Sequence, residues 1–92
     1  MIQYEIKKII TNQSQIIDAY LIGSYAKGNF CEKSDIDLLI KFDFNITSNS
    51  YILELKRDLK KVTKRDIDII VSQFVRSNFK LESMLKNSIK IK

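Results

Sequence analysis

The chain has 92 residues, a net charge of +5, 45% apolar residues and 29% charged residues, which fits one globular domain over residues 1–92. One cysteine and no histidine exclude an internal disulfide, a cysteine-built zinc site, a Ser-His-Asp triad and imidazole acid–base chemistry. Any metal would be a hard cation on carboxylate oxygens, such as magnesium, manganese or calcium.

No apolar run approaches the ~18 residues of a membrane span. The opening stretch "MIQYEIKKIITNQ" mixes charges into its pattern and lacks the apolar centre of a signal peptide. The expectation is a cytoplasmic protein with no membrane partner. The positive balance favours polyanions such as nucleotides or an acidic protein, although a lysine-rich solvated surface also accounts for it. The 16 lysines and arginines are spread along the chain, as are the five Phe and four Tyr. That dispersal argues against nucleic acid, which needs a basic stripe or stacking aromatics.

In chain order, Ile2, Ile6, Ile9 and Ile10 recur at helical spacing and predict an amphipathic helix over 2–13. "DAYLIG" (18–23) predicts a short strand, and "AKGNFCEKS" (26–34) a polar loop in which Cys31 is a small loop residue. "DIDLLIKF" (35–42) alternates and then turns continuously apolar, as a central strand does. Ser48, Asn49 and Ser50 are the best-placed N-caps for a second helix over 51–63, whose apolar stripe is Ile52, Leu55, Leu59 and Val62. "RDIDIIVS" (65–72) predicts a third strand. Residues 74–91 predict a final amphipathic segment with Val75, Phe79, Leu81, Leu85 and Ile89 inward. The order helix, strand, strand, helix, strand, helix predicts an α/β (α+β) fold: a small mixed β-sheet of three to four strands packed against three to four helices.

Two strands carry carboxylates where a core strand should not. Side chains alternate along a strand, so Asp35 and Asp37 share one face, as do Asp66 and Asp68. Carboxylates gathered on one face repel one another, and a divalent cation resolves the conflict. Gly23-Ser24 follows the first strand. Glycine lets a phosphate approach the backbone, serine adds a hydroxyl, and a short helix starting at "SYAK" would turn N–H groups toward an anion. The pattern is not a Walker A loop. Each piece alone has an ordinary explanation: a turn, a solvated face, an exposed edge strand. All of them together in one small domain point to a phosphate and metal site.

The stretch "GSYAKGNFCEKSDID" fits the GS-x10-DxD signature and resembles the polymerase-β-like nucleotidyltransferase superfamily. Gly23 to Gly28 followed by Ser34-Asp35-Ile36-Asp37-Leu38 is similar to its minimal nucleotidyltransferase (MNT) group. In that group a third aspartate sits on a later strand; Ile67-Asp68-Ile69-Ile70 fits best, with Asp66 the weaker choice at the strand's start. The resemblance implies that Asp35, Asp37 and Asp68 bind two Mg²⁺ ions and act catalytically, Asp68 drawing the proton from an incoming hydroxyl. It implies that Gly23, Ser24 and Lys27 contact the phosphates of ATP. Lys27 stands where many relatives have arginine, so it would act as a point charge without a bidentate fork. It further implies an antitoxin that transfers AMP from ATP to a tyrosine of a HEPN-domain toxin, itself an RNase. Inhibition by binding alone, and transfer to RNA or a small molecule, are the competing readings. Self-association of the purified chain is left open.

Overall fold

In the computed structural model, which describes residues 2–28, 31 and 34–92, the chain runs α1 (Ile2–Ile10), β1 (Ile16–Ile22), α2 (Gly23–Lys27), β2 (Ile36–Phe42), α3 (Asn49–Thr63), β3 (Ile67–Val71), a 3-10 turn (Ser72–Phe74), α4 (Asn78–Leu85) and β4 (Ile89–Lys90). The strands form one mixed sheet in the order β3-β2-β1-β4. β2 and β3 are parallel and joined through α3, whereas β1 runs antiparallel to both β2 and β4. This is the mixed sheet with helices expected from the sequence.

Alternation divides the sheet into two unlike faces. On one face Ile16, Ala19, Leu21, Ile36, Leu38, Ile40, Phe42 and Ile67 pack on Ile6 and Ile10 of α1 and on Leu55 and Leu59 of α3. The other face presents Ile22, Asp37, Leu39, Lys41 and Asp68. There Leu81 and Leu85 of α4 line a groove of about 360 Å³ together with Tyr20, Leu39 and Lys41. The core side is held by burial, the outer side is half-covered, and the carboxylates stand on the outer side.

Several boundaries differ from the sequence reading. β1 starts at Ile16, two residues early, because its register with β2 shifts between Ile16 and Asp18. The extra residue is Ile17, 51% exposed, so the period-two pattern breaks at the point where the strand begins. α1 stops at Ile10; Thr11 Oγ1 and Asn12 Nδ2 donate to the carbonyls of Lys7 and Lys8 and close its last turn. Ser48 is the N-cap of α3, its hydroxyl accepting from Tyr51 N–H at 3.1 Å. Leu55 and Leu59 are buried and Ile52 packs against the core, but Val62 is 42% exposed. The stripe continues from Leu59 by four residues to Thr63, which is buried and donates its hydroxyl to the Leu59 carbonyl.

The final segment is not one amphipathic unit. Ser77 caps a short α4 through Lys80 N–H, and the chain then turns into β4, which pairs with Tyr20 and Leu21. Phe79, expected inward, is 82% exposed. Leu81, Leu85 and Ile89 are half-buried, and the fully buried residue of this region is Ile91, whose N–H donates to the Ala19 carbonyl at 2.8 Å. The polar loop expected over 26–34 begins late, since Ala26 and Lys27 are helical; residues 29, 30, 32 and 33 lie outside the described residues.

Candidate active site

β2 is the strand on which the site is built. Its first residues pair with β3 in parallel register, and Asp37 stands directly beside Asp68. On its other side Asp37 is registered with Ile22, the last residue of β1. The next residue is Gly23. It has φ +75°, and a Cβ there would run into the Asp37 carboxylate oxygen and lie 3.3 Å from its Cγ. A side chain would therefore be both strained and in the way. Three strand ends thus put the Gly23 backbone, Asp37 and Asp68 in a row.

Asp35 precedes β2 by one residue and is exposed, as is Asp68, while Asp37 between them is half-buried. Partial burial, followed by the negative charges of Asp68 and Asp35, holds the Asp37 carboxyl above the ordinary carboxylate range. Asp68 thus stands beside Asp37 in register, and the charges of Asp68 and Asp35 both act on the Asp37 carboxyl. Asp66 goes elsewhere: its carboxylate pairs with Lys60 Nζ of α3 at 2.8 Å. The hydrogen bond and charge of Lys60 draw its titration below the ordinary range. Its backbone still serves the site, because the Asp66 carbonyl accepts from Ile36 N–H at 2.9 Å and starts the β2–β3 pairing.

Gly23 opens α2, so "SYAK" does lie in a short helix directly after β1. Ser24 is half-buried in its first turn, and Lys27 is exposed at its end. Gly28, at φ 78°, stops the helix, its N–H donating to the carbonyls of Ser24 and Tyr25. The sequence reading missed the contacts that tie α2 and the approach to Asp35 to β3. Arg65 Nη1 donates to the Cys31 carbonyl at 2.9 Å, and its guanidinium lies over the Tyr25 ring at 5.5 Å. No spacing rule signals such a contact, since 34 residues separate Arg65 from Cys31.

Among the described residues no three carboxylates, imidazoles or thiols form a ready-made metal cage. The donor chemistry nonetheless fits a hard divalent cation. The groups are all-oxygen, and burial together with the charges of Asp68 and Asp35 disfavours the bare carboxylate of Asp37, which a cation would favour. The missing side chain at Gly23 leaves backbone against that carboxylate, where a phosphate could approach.

Comparison with known proteins agrees with this geometry. The family described as "Polymerase beta, Nucleotidyltransferase" matches residues 4–92. The protein "Putative protein adenylyltransferase MJ1379" of Methanocaldococcus jannaschii is 33% identical over 84 residues, covering 90% of this chain and 84% of that one. A chain of a toxin–antitoxin crystal structure with AMP-PNP superposes with a TM-score of 0.76 at 22% identity, over 98% of this chain and 72% of that one. A chain of the tri-AMPylated Shewanella oneidensis HEPN toxin in complex with MNT antitoxin gives 0.63 at 22% identity, over 100% and 72%. The structural likenesses speak for the fold, and the profile match with the sequence relative speaks for descent: the chain belongs to the polymerase beta nucleotidyltransferase family.

Proposed function

We propose that this nucleotidyltransferase transfers AMP from ATP to a tyrosine hydroxyl of a HEPN-domain toxin and so acts as its antitoxin in the cytoplasm. The observation that carries the reading is the register pair Asp37–Asp68 beside the Gly23 backbone. The M. jannaschii relative is named a protein adenylyltransferase, and two chains of the same fold come from toxin–antitoxin complexes, one with AMP-PNP and one with an AMPylated HEPN toxin.

Asp35, Asp37 and Asp68 would hold two Mg²⁺ ions, which when bound supply charge neutralisation and orientation of the triphosphate. Gly23 and Ser24 bind the terminal phosphates through backbone N–H and hydroxyl, and Lys27 adds a positive charge at the end of α2. Asp68 accepts the proton of the tyrosine hydroxyl. The oxygen forms its bond to the α-phosphorus as the bond to pyrophosphate breaks, leaving an AMP ester on the toxin. Chemistry of this kind rests on positioning and electrostatics, which suits a chain with no histidine.

The test is the intact mass of a HEPN-domain partner after incubation with the protein, ATP and Mg²⁺, beside an Asp35→Asn/Asp37→Asn control. Gain of one or more AMP groups, absent from the control, supports transfer. A stable complex with no gain in mass would favour inhibition by contact.

A further inference from the structure

Arg65 belongs to none of the motifs above, yet it reaches both halves of the site. It lies between α3 and β3, and its backbone is fixed there. Its N–H donates to Thr63 Oγ1 at 3.3 Å, and the Thr63 hydroxyl donates to the Leu59 carbonyl at 2.7 Å. The following residue, Asp66, starts the pairing with β2. The side chain is thus mounted on the frame that carries Asp68.

From that frame the guanidinium reaches Tyr25 and Cys31 by contacts of different kinds. Its Cζ lies over the ring of Tyr25, the neighbour of Ser24 in α2, at 5.5 Å from the ring centre. Its Nη1 donates to the Cys31 carbonyl, four residues before Asp35. That carbonyl also accepts from Ser34 N–H at 3.0 Å, and Ser34 Oγ accepts from Cys31 N–H at 2.8 Å. Cys31 and Ser34 are therefore joined by two hydrogen bonds ahead of Asp35, and Arg65 holds the Cys31 carbonyl from outside. The guanidinium carries five donors in a rigid plane and can meet a ring and a carbonyl together in one fixed geometry, whereas a lysine ammonium is a compact, more strongly hydrated point charge on a flexible stem.

We propose that Arg65 is a positioning residue. It clamps α2 to the hydrogen-bonded Cys31 and Ser34 ahead of Asp35, so that Ser24 and the Asp35–Asp37 pair keep the separation that a nucleoside triphosphate requires. The clamp is a property of the chain itself, whereas its consequence for nucleotide rests on the function proposed above.

The experiment uses the exposed thiol of Cys31 as a reporter. The alkylation rate by iodoacetamide is followed by mass in the wild-type chain, Arg65→Met and Arg65→Lys. A second reporter, Ser50→Cys on the exposed first turn of α3, is introduced into each. Binding of a non-hydrolysable ATP analogue with Mg²⁺ is measured by calorimetry on the same proteins. The expected result is several-fold faster alkylation at Cys31 in both variants, unchanged alkylation at position 50, and affinity weaker by about tenfold. Wild-type behaviour of Arg65→Lys in both assays would overturn the proposal, since charge alone would then suffice. Equal acceleration at position 50 would also overturn it, because the loosening would be global. If even the wild-type chain bound no nucleotide, the function reading would fail while the alkylation rates still decided the clamp.

Discussion

The Gly23 backbone stands against the carboxylate of Asp37, so closely that a Cβ at position 23 would overlap it. Gly23 follows β1 directly and Asp37 lies in β2, and the antiparallel register of β1 and β2 brings them together. This one contact joins the Gly-Ser half of the signature to its Asp-x-Asp half.

Gly23→Ala is therefore expected to do two kinds of damage. The positive φ costs about 1–2 kcal/mol of stability, and the new methyl displaces Asp37, lowering transfer by about 100-fold. Gly28→Ala is the control. Its φ is also positive, 78°, but a Cβ there meets nothing within 4 Å among the described residues. It should lose a similar amount of stability and keep its activity. Thermal unfolding and initial rates on the two variants separate strain from obstruction.

Asp37→Asn should abolish detectable transfer yet raise the melting temperature of the metal-free protein at neutral pH. Folding raises the Asp37 pKa, so the group favours the folded state most when protonated. That contribution is lost as pH rises through the folded value, and above it the carboxylate opposes folding. Asparagine removes the opposing charge. The gain should vanish at pH values low enough to protonate Asp37 in the wild type. A melting temperature lower than wild type at neutral pH would contradict the electrostatic account.

Mg²⁺ with an ATP analogue should raise the wild-type melting temperature, by about 2.7 kcal/mol of added stability at 100 times the dissociation constant. Asp35→Asn/Asp37→Asn should show no such rise. The wild-type effect should weaken on acidification, because protons compete with the cation at the raised Asp37 carboxyl. Differential scanning fluorimetry across pH checks both statements.

Asp66 and Asp68 should behave oppositely. Asp68→Asn is expected to lower the transfer rate by about 100-fold or more, as loss of a group acting on the developing charge does. Asp66→Asn loses a surface pair with Lys60, whose two side chains are 62% and 69% exposed, and should leave the rate within about twofold. Because Lys60 lowers the Asp66 pKa, any stabilisation by this pair is present above the ordinary carboxylate range and disappears as pH falls through the lowered value. Rate constants for the two single variants decide the assignment.

Leu59→Ala and Val62→Ala test the stripe of α3. Leu59 is fully buried, so its truncation should cost about 2–5 kcal/mol in urea unfolding. Val62 is exposed, and its truncation should change stability by less than about 0.5 kcal/mol.

Much of this was legible in the order of residues. Local periodicity is a covalent consequence of 3.6 residues per helical turn and two per strand repeat, so α1, β2, α3 and β3 could be placed directly. The GS-x10-DxD spacing likewise confines Gly23, Ser24, Asp35 and Asp37 to a strand end, a turn and the next strand. Other features depend on which distant segments meet. The bulge at Ile17 is set by pairing with β2. The outward Phe79 follows from α4 lying across a half-covered sheet face, and the division of the last segment follows from an open edge on β1 that β4 fills. Between Asp66 and Asp68 the sequence offered a preference based on position in the strand. The parallel register then put Asp68 beside Asp37, and Lys60 held Asp66 away. The contacts of Arg65 could not be read in advance, because a guanidinium finds its carbonyl and its ring only after the sheet has brought residues 25, 31 and 65 together.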